Sequence, residues 1–438
     1  MDEVSLIAQF ERAVASRPPT PHLIRESMRV GRKIRRRRRL AAAATSALVV
    51  ALIATIAQAA HGALRRHTPA ARREPAVPET VYSASSNGLV TPIRVAGNVT
   101  RPGIQIAGMM GQGAPLAVAP DGKVIYAASG SGEITPINLS TNTAGRAIRV
   151  ASRSEPLITI LMTPDGRTAY VLAAGGEVIP VDLARGRPGK LIRTGADQMV
   201  ITPDGKTVYA FNDYSRTVLP IQTATGTALK PITVGQRRDG TVDIAVSPDN
   251  ATVYALSGNL SKFGGQITPI STATNTAEQP IKLRGGVMDI AISPSGQTAY
   301  VTDYTKQNRY DLLPVDLATR KVLRPIILPA RLYAVSSVAF SPDGSMAYIA
   351  IGANPDSHLG AELVPIRTAT NTGLPPVHLP ISHPSCIAVS PDSSTVYVSG
   401  ELLSNWLKYA VFPIRVGAKS AGRAIAVPDN PVAMVFAP

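Results

Sequence analysis

Ser247-Pro248-Asp249-Asn250-Ala251-Thr252-Val253-Tyr254 is the stretch whose reading decides the fold. An apolar run, Asp243-Ile244-Ala245-Val246, leads into it, and Tyr254 sits in a second apolar run after it. A strand, a tight turn and a returning strand is the simplest reading, because Asp-Asn or Asp-Gly suits a turn with φ > 0. The same phrase or a near copy recurs at Pro120, Pro164, Pro203, Pro248, Pro294, Pro342 and Pro391, at spacings of 44, 39, 45, 46, 48 and 49. An eighth apolar run, Val432 to Pro438, ends the chain at its proline.

Each mark is followed by a strand with a tyrosine: Tyr126, Tyr170, Tyr209, Tyr254, Tyr300, Tyr348 and Tyr397, with Tyr82 as an eighth copy that lacks its own preceding run. A third strand then carries a proline: Pro92, Pro136, Pro180, Pro220, Pro269, Pro314, Pro365 and Pro413. A fourth strand closes each unit, as in Arg146–Val150. Four strands per 39–49 residues is the period of a β-propeller blade. The chain enters on strands two to four of a blade and leaves on strand one. Those pieces complete each other if the last strand pairs beside Tyr82, which removes open sheet edges and closes the ring. The fold class expected is therefore all-β, a single propeller over residues 79–438. It has eight blades, or seven if the first unit lies outside the ring.

The first strands alternate. Ile244 and Val246, Ile290 and Ile292, Val338 and Phe340 fall on one face. Ala245 and Ser247, Ala291 and Ser293, Ala339 and Ser341 fall on the other. The large face should pack blade on blade, and the small face should let the innermost strands crowd the axis. Proline within the third strand is unexpected in a strand paired on both sides. It predicts a bulge or a solvated carbonyl at each repeat.

The phrases Ser247–Tyr254 and Ile267-Thr268-Pro269-Ile270-Ser271-Thr272-Ala273-Thr274-Asn275-Thr276-Ala277 resemble the YVTN-type (YncE-like) β-propeller repeats, in the variant common in actinobacterial surface proteins. The likeness covers about 360 residues and implies the propeller fold. It implies no single activity, because such propellers serve many roles. The proline departs from the family's usual Val-x-Val-Ile-Asp third strand.

The charge lies elsewhere. The 438 residues carry 45 Lys/Arg and 29 Asp/Glu, a net of +16. Residues 1–78 hold 15 Lys/Arg and 5 Asp/Glu, against 30 and 24 in residues 79–438. The centre is Arg32-Lys33-Ile34-Arg35-Arg36-Arg37-Arg38-Arg39, followed by uncharged Leu40 to Ala60. Those residues as a helix would rise about 30 Å, enough to span a hydrocarbon core. Arginines flanking an apolar segment act as a topology signal and bind anionic headgroups. The expected layout is a cytoplasmic tail (1–39), a transmembrane helix (40–60), a linker (61–78) and an extracellular propeller. A cleaved leader is the alternative, with Ala57-Gln58-Ala59 as a small-x-small site. The long charged tail and long apolar run favour an anchor. Val4 to Ala15 reads as an amphipathic helix, with Leu6, Phe10 and Val14 on one face.

The single Cys386 excludes a disulfide framework and a multi-cysteine metal centre. It reads as an inert buried thiol. Aromatics at 5% argue against a base-stacking surface, and no nucleic-acid partner is expected. No GxSxG, P-loop, HExxH or CxxC motif occurs. His358, His378 and His383 read as loop histidines, and Trp406 lies in a loop, Glu401 to Lys408.

One constellation could carry chemistry. Five residues before each proline mark stand Pro115, Thr159, Gln198, Asp243, Asp289, Ser337, Cys386 and Ala433. That position falls where the innermost strand leaves the mouth of the central channel. Asp243 and Asp289 would lie in adjacent blades, flanked by Gln198 and Ser337, with Arg237, Arg238, Arg284 and Arg331 in the loops above. Two carboxylates near one axis could hold a cation such as Ca²⁺. Salt bridges with those arginines are the alternative. Loops after the second strands vary in length, and variable loops on a rigid scaffold commonly carry recognition. Three functions are compatible with this sequence. The first is an anchored scaffold binding a protein, peptide or glycan. The second is a lactonase-like hydrolase with a cation at the channel mouth. The third is a sensor signalling to a partner of residues 1–39.

Overall fold

A computed structural model describes residues 80–108, 115–235, 240–259, 264–305, 309–329, 332–353, 360–403 and 405–437. The tail, the apolar run and the linker lie outside the described residues. So do Trp406's side chain, His358, Arg237, Arg238 and Arg331.

Eight antiparallel sheets follow one another, each a meander of four strands, and no helix occurs among the described residues. Blades 1 to 7 span 116–149, 157–193, 198–233, 240–283, 286–327, 332–379 and 381–427. Blade 8 is composite. Pro431–Ala437 pairs antiparallel with Thr80–Ser85, in register Thr80↔Ala437 through Ala84↔Ala433. The Ser86 N–H donates to the Asn430 carbonyl at 2.9 Å, extending the join. The ring is therefore closed by hydrogen bonds between the two ends of the repeat, and eight is the blade number.

The alternation in strand one finds its explanation between blades rather than at the axis. Ile244 and Val246 of blade 4 pack in one cluster with Tyr209 and Phe211 of blade 3. Ala245, on the other face, lies in a cluster with Ile290 and Ile292 of blade 5. Ala291 likewise meets Val338 and Phe340, and Ala339 meets Ile387 and Val389. Each small residue accepts the large pair of the next blade, so the seams interdigitate at interior density. Leu161, Val200 and Val435 are larger at this position; Leu161 packs beside Met199 and Ile201, Val200 beside Ile244 and Val246, and Val435 beside Leu116.

The turns after strand one behave as the motif predicts. Gly122, Gly166, Gly205, Asn250, Gly296 and Gly344 have φ between 64° and 71°, and Ser393 has 58°. The residue before proline adds a device. The Thr163 hydroxyl donates to Asp165 Oδ1 at 2.6 Å, and the Arg167 N–H donates to the same oxygen at 3.0 Å. The Thr168 N–H returns to Thr163 Oγ1 at 3.1 Å. Those bonds, that from Thr163 first, hold the Asp165 carboxyl below its usual range. Ser or Thr at this position thus locks the turn.

The proline in strand three neither bulges its strand nor leaves its carbonyl to solvent. All eight carbonyls accept an N–H from the fourth strand, at 2.7–2.8 Å, as in Gly145 to Pro136 and Leu229 to Pro220. Opposite the missing donor the fourth strand divides. In blade 1 it pairs as Thr143–Ala144 and again as Ile148–Arg149. The irregularity is displaced to the outermost strand. That strand is an edge, and breaking it discourages pairing with another chain.

A second ring of bonds ties the bottoms of the blades. Five of the eight strand-two tyrosines reach the turn between strands three and four of the following blade. Tyr82 donates to Asn142 at 2.6 Å, Tyr209 to Asn275 at 2.7 Å and Tyr397 to Asn98 at 3.1 Å, and Tyr300 donates to Asn371. Tyr170 uses the Thr223 carbonyl at 3.1 Å. The four asparagines have φ of 50–54°, a left-handed conformation that asparagine tolerates better than most residues. The Thr-Asn-Thr signature is thus both a turn and an acceptor. Burial pushes the Tyr209 phenol up to about 12, so it remains a donor.

Candidate functional site

The end opposite the Pro-Asp-Gly turns, here the top, is where strand one begins and strand two ends. Its chemistry differs from blade to blade, whereas the bottom repeats.

The position five before the proline is buried between blades. Asp243 is 0% exposed. Its Oδ1 accepts the Ile244 N–H at 2.7 Å, and its Oδ2 accepts the Ile290 N–H at 2.9 Å. The carboxylate therefore stitches blade 4 to blade 5, directly after a bulge between Thr241 and Asp243. Asp289 occupies the matching place after a bulge between Val287 and Asp289, and is also buried. Gln198 is half-buried at the start of strand one in blade 3. Ser337 is buried in a gap between two short strand-one pieces of blade 6. There the Ser336 hydroxyl donates to the Ser337 carbonyl at 3.0 Å. Arg284 is exposed. Among the described residues no group of three or more His, Cys, Asp or Glu side chains is placed to hold a metal. Cys386 is buried, and its thiol is pushed up to about 12 by burial.

Other residues of the top face carry more of its chemistry. In blade 5, Asp303 ends strand two and Asp311 begins strand three; they are register partners. Both are buried, at 6% and 4% exposure. Arg309 grips Asp311 through Nε and Nη2, each at 3.0 Å. Asp303 packs on Gly285, where a Cβ would overlap the carboxylate, and its Oδ1 has no hydrogen-bond partner. Burial first, and Asp311 second, raise the Asp303 carboxyl to about 6. Tyr304 and Tyr310 meet on the other face of the same hairpin, their ring centroids 5.1 Å apart and their planes tilted by 50°.

In blade 2, Glu155 and Glu177 converge over Gly175, which leaves room for both carboxylates. The hydrogen bond with Glu177, then burial and the like charge, raises the Glu155 carboxyl. Blade 7 gathers Ser382 Oγ, His383 Nδ1 and Glu401 Oε2 within 3.2–3.4 Å of one another. His378 Nε2 lies 3.5 Å from Glu362 in blade 6. Both described histidines thus have a glutamate. Blade 3 ends in a hairpin whose tip, Tyr214, is 85% exposed, with the Asp213 N–H donating to Asp197 Oδ2 at 3.0 Å.

The sequence did contain a signal for these groups. Asp303 and Asp311 straddle a hairpin at equal distances from its tip, so register alone places them side by side on one face. Tyr214 lies in the loop after the second strand of blade 3, one of the loops of variable length.

No family model matches the chain, and no curated protein matches it. Solved structures do match. The hydrazine synthase of Kuenenia stuttgartiensis is 19% identical at a TM-score of 0.51, over 71% of this chain and 99% of that one. The dihydro-heme d1 dehydrogenase NirN in complex with DHE is 15% identical at 0.64, over 84% and 77%. The Myceliophteria thermophila Cps50 (Swd1) β-propeller domain is 14% identical at 0.50, over 65% and 92%. These likenesses establish the β-propeller fold. At such identities they carry nothing about activity, and the three proteins differ widely in what they do.

Proposed function

We propose that this chain is a membrane-anchored, extracytoplasmic propeller of the YVTN type whose top-face loops bind a protein, peptide or glycan. The observation that carries the reading is the contrast between the two ends of the ring. The bottom repeats the same two turns and the same tyrosine clasp, which is what a scaffold needs. The top presents a pair of glutamates in blade 2, an exposed tyrosine in blade 3, an arginine–aspartate fork in blade 5 and a serine–histidine–glutamate cluster in blade 7. Side chains of that variety on short, rigid hairpins suit recognition. The uncharged run from Leu40 to Ala60 after eight mostly basic residues supports the anchor and its orientation.

Two measurements test this. Alkaline carbonate washing of membranes, followed by protease treatment of intact cells, tests the anchor; a chain that washes off, or that protease cannot reach, overturns it. A glycan array probed with the full chain and with Tyr214→Ala tests the binding face. Glycan signal lost in the variant supports it. Signal unchanged by that substitution removes the blade 3 tip from the site.

A further inference from the structure

The charge that remains in the ring is sorted by position. The outermost ribbon of every blade is a twelve-residue segment: 95–106, 139–150, 183–194, 223–234, 272–283, 317–328, 368–379 and 416–427. Together these hold 14 of the 30 Lys/Arg in residues 79–438 but one of the 24 Asp/Glu, Glu278. The rest of the propeller is net acidic. Its basic excess is therefore confined to the rim.

Six of the 14 lie on two neighbouring ribbons: Arg146 and Arg149 in blade 1, then Arg185, Arg187, Lys190 and Arg193 in blade 2. The ribbons touch, since a Cβ on Gly186 would lie 3.8 Å from Ile148 Cδ1. All six side chains are exposed. Arg149 pairs with Glu133, and Arg185 with Asp182 at 2.7 Å. Among the described residues no carboxylate lies within ion-pair distance of Arg146, Arg187, Lys190 or Arg193. Glu177, the register partner of Arg193, turns to Glu155 instead. Four uncompensated cations on one exposed face cost solubility nothing, yet they attract any nearby polyanion.

We propose that the blade 1–2 rim docks on an anionic lipid bilayer. Three observations choose this occupant. The rim of a ring is convex, so it meets a plane but cannot enfold a polymer. The ribbons 139–150 and 183–194 contain no aromatic residue on which nucleic-acid bases could stack. The outer strand of blade 2 pairs only as Arg187–Pro188 and Ile192–Arg193, too short and broken to template an added peptide strand. Leu191, 41% exposed between Lys190 and Arg193, supplies an apolar contact among the cations. The bilayer is within reach because the ring begins at Thr80 of blade 8, next to blade 1, a score of residues after the apolar run. That last step rests on the anchored reading above.

The test uses the full chain with Leu191→Cys carrying an environment-sensitive fluorophore; the native Cys386 is buried and does not compete. The chain is reconstituted into phosphatidylcholine vesicles and into vesicles rich in phosphatidylglycerol. The expected result is a blue shift with the anionic lipid alone, lost in high salt, where charges are screened within about 3 Å at 1 M. Each rim cation near such a surface is expected to strengthen contact about fivefold at low salt. The triple reversal Arg187→Glu, Lys190→Glu, Arg193→Glu should therefore abolish the shift without altering thermal unfolding. Lys419→Glu with Arg423→Glu, on blade 7, should leave it intact. Equal emission in both lipids, or an unchanged shift in the triple variant, overturns the proposal. A shift produced by a single-stranded oligonucleotide and not by anionic vesicles overturns it in favour of a nucleic-acid site. Release by carbonate sinks the anchor alone; flotation with the two vesicle types then still reads the rim.

Discussion

Tyr209 of blade 3 donates its phenolic hydrogen to Asn275 of blade 4 at 2.7 Å, and the same relation recurs at three other seams with Asn98, Asn142 and Asn371 as acceptors. The residues are distant in sequence but adjacent around the ring. A repeat that already builds each blade therefore also joins it to the next. Among the described residues the clasp is not found at the 1–2, 4–5 and 6–7 seams, and the last shows why. Tyr348 has no partner for its hydroxyl, and the turn it would face in blade 7 carries Gly417.

That comparison yields the first prediction. Asn275→Gly preserves the left-handed turn and removes only the acceptor, leaving a buried phenol unsatisfied. It should cost about 1–2 kcal/mol in denaturant unfolding. Tyr348→Phe removes a hydroxyl that bonds nothing and should be neutral or slightly stabilising. Equal losses from both substitutions would show that tyrosine packing, not the hydrogen bond, holds the seams.

The composite blade yields the second. Residues 431–437 supply strand one of blade 8, and Met434 pairs with Ser83. Removing 431–438 exposes the edge of Thr80–Ser85 and a face of blade 7, including Cys386. Loss of cooperative thermal unfolding is expected, together with oligomers on size exclusion. A truncated chain that stays monomeric, with an unchanged midpoint, would mean that the ring does not depend on this closure.

The repeat, its strand order and the large face that packs blade on blade were legible because proline, glycine and alternation punctuate every repeat, as Ser247–Tyr254 does for blade 4. The choice of eight blades over seven needed the pairing of Thr80–Ser85 with Pro431–Ala437, and the small face proved to receive the next blade rather than crowd the axis. The clasp was not legible, since nothing local marks Asn275 as the partner of a tyrosine one blade back. The third-strand proline could be seen but not resolved, because the strain appears in a different strand. At the top face, the position of Asp243 was legible and its surroundings were not. A sequence places a carboxylate near the axis; only the packing of blade 4 on blade 5 shows that the Ile290 N–H already occupies it.

The third prediction follows from that bond. Asp243→Ala leaves the buried Ile290 N–H without its acceptor and should destabilise the protein by about 1–3 kcal/mol. The loss should be the same with Ca²⁺ as with chelator, because both carboxylate oxygens already accept N–H groups. A midpoint that rises with Ca²⁺ in the native chain but not in the variant would instead make Asp243 and Asp289 a cation site.

Asp303 gives the pH prediction. Its folded-state carboxyl titrates near 6, above an ordinary aspartate near 4, because burial and then Asp311 disfavour its charge. A raised carboxyl favours folding only while it is protonated. The contribution is fully present below the unfolded value and is lost as pH rises through 6. Asp303→Asn cannot ionise, so its stability relative to the native chain should be lowest below pH 4, rise between pH 4 and 6 and then level off. A shift of this size corresponds to about 3 kcal/mol for a dry site, and solvent at the open end of the seam reduces it to about 1–2 kcal/mol. Thermal midpoints of both proteins across that range measure the difference directly, with the other acids cancelling. A difference that stays constant from pH 4 to 8 would mean that Asp303 is ionised throughout, with a cation or donor at its Oδ1 that compensates the burial.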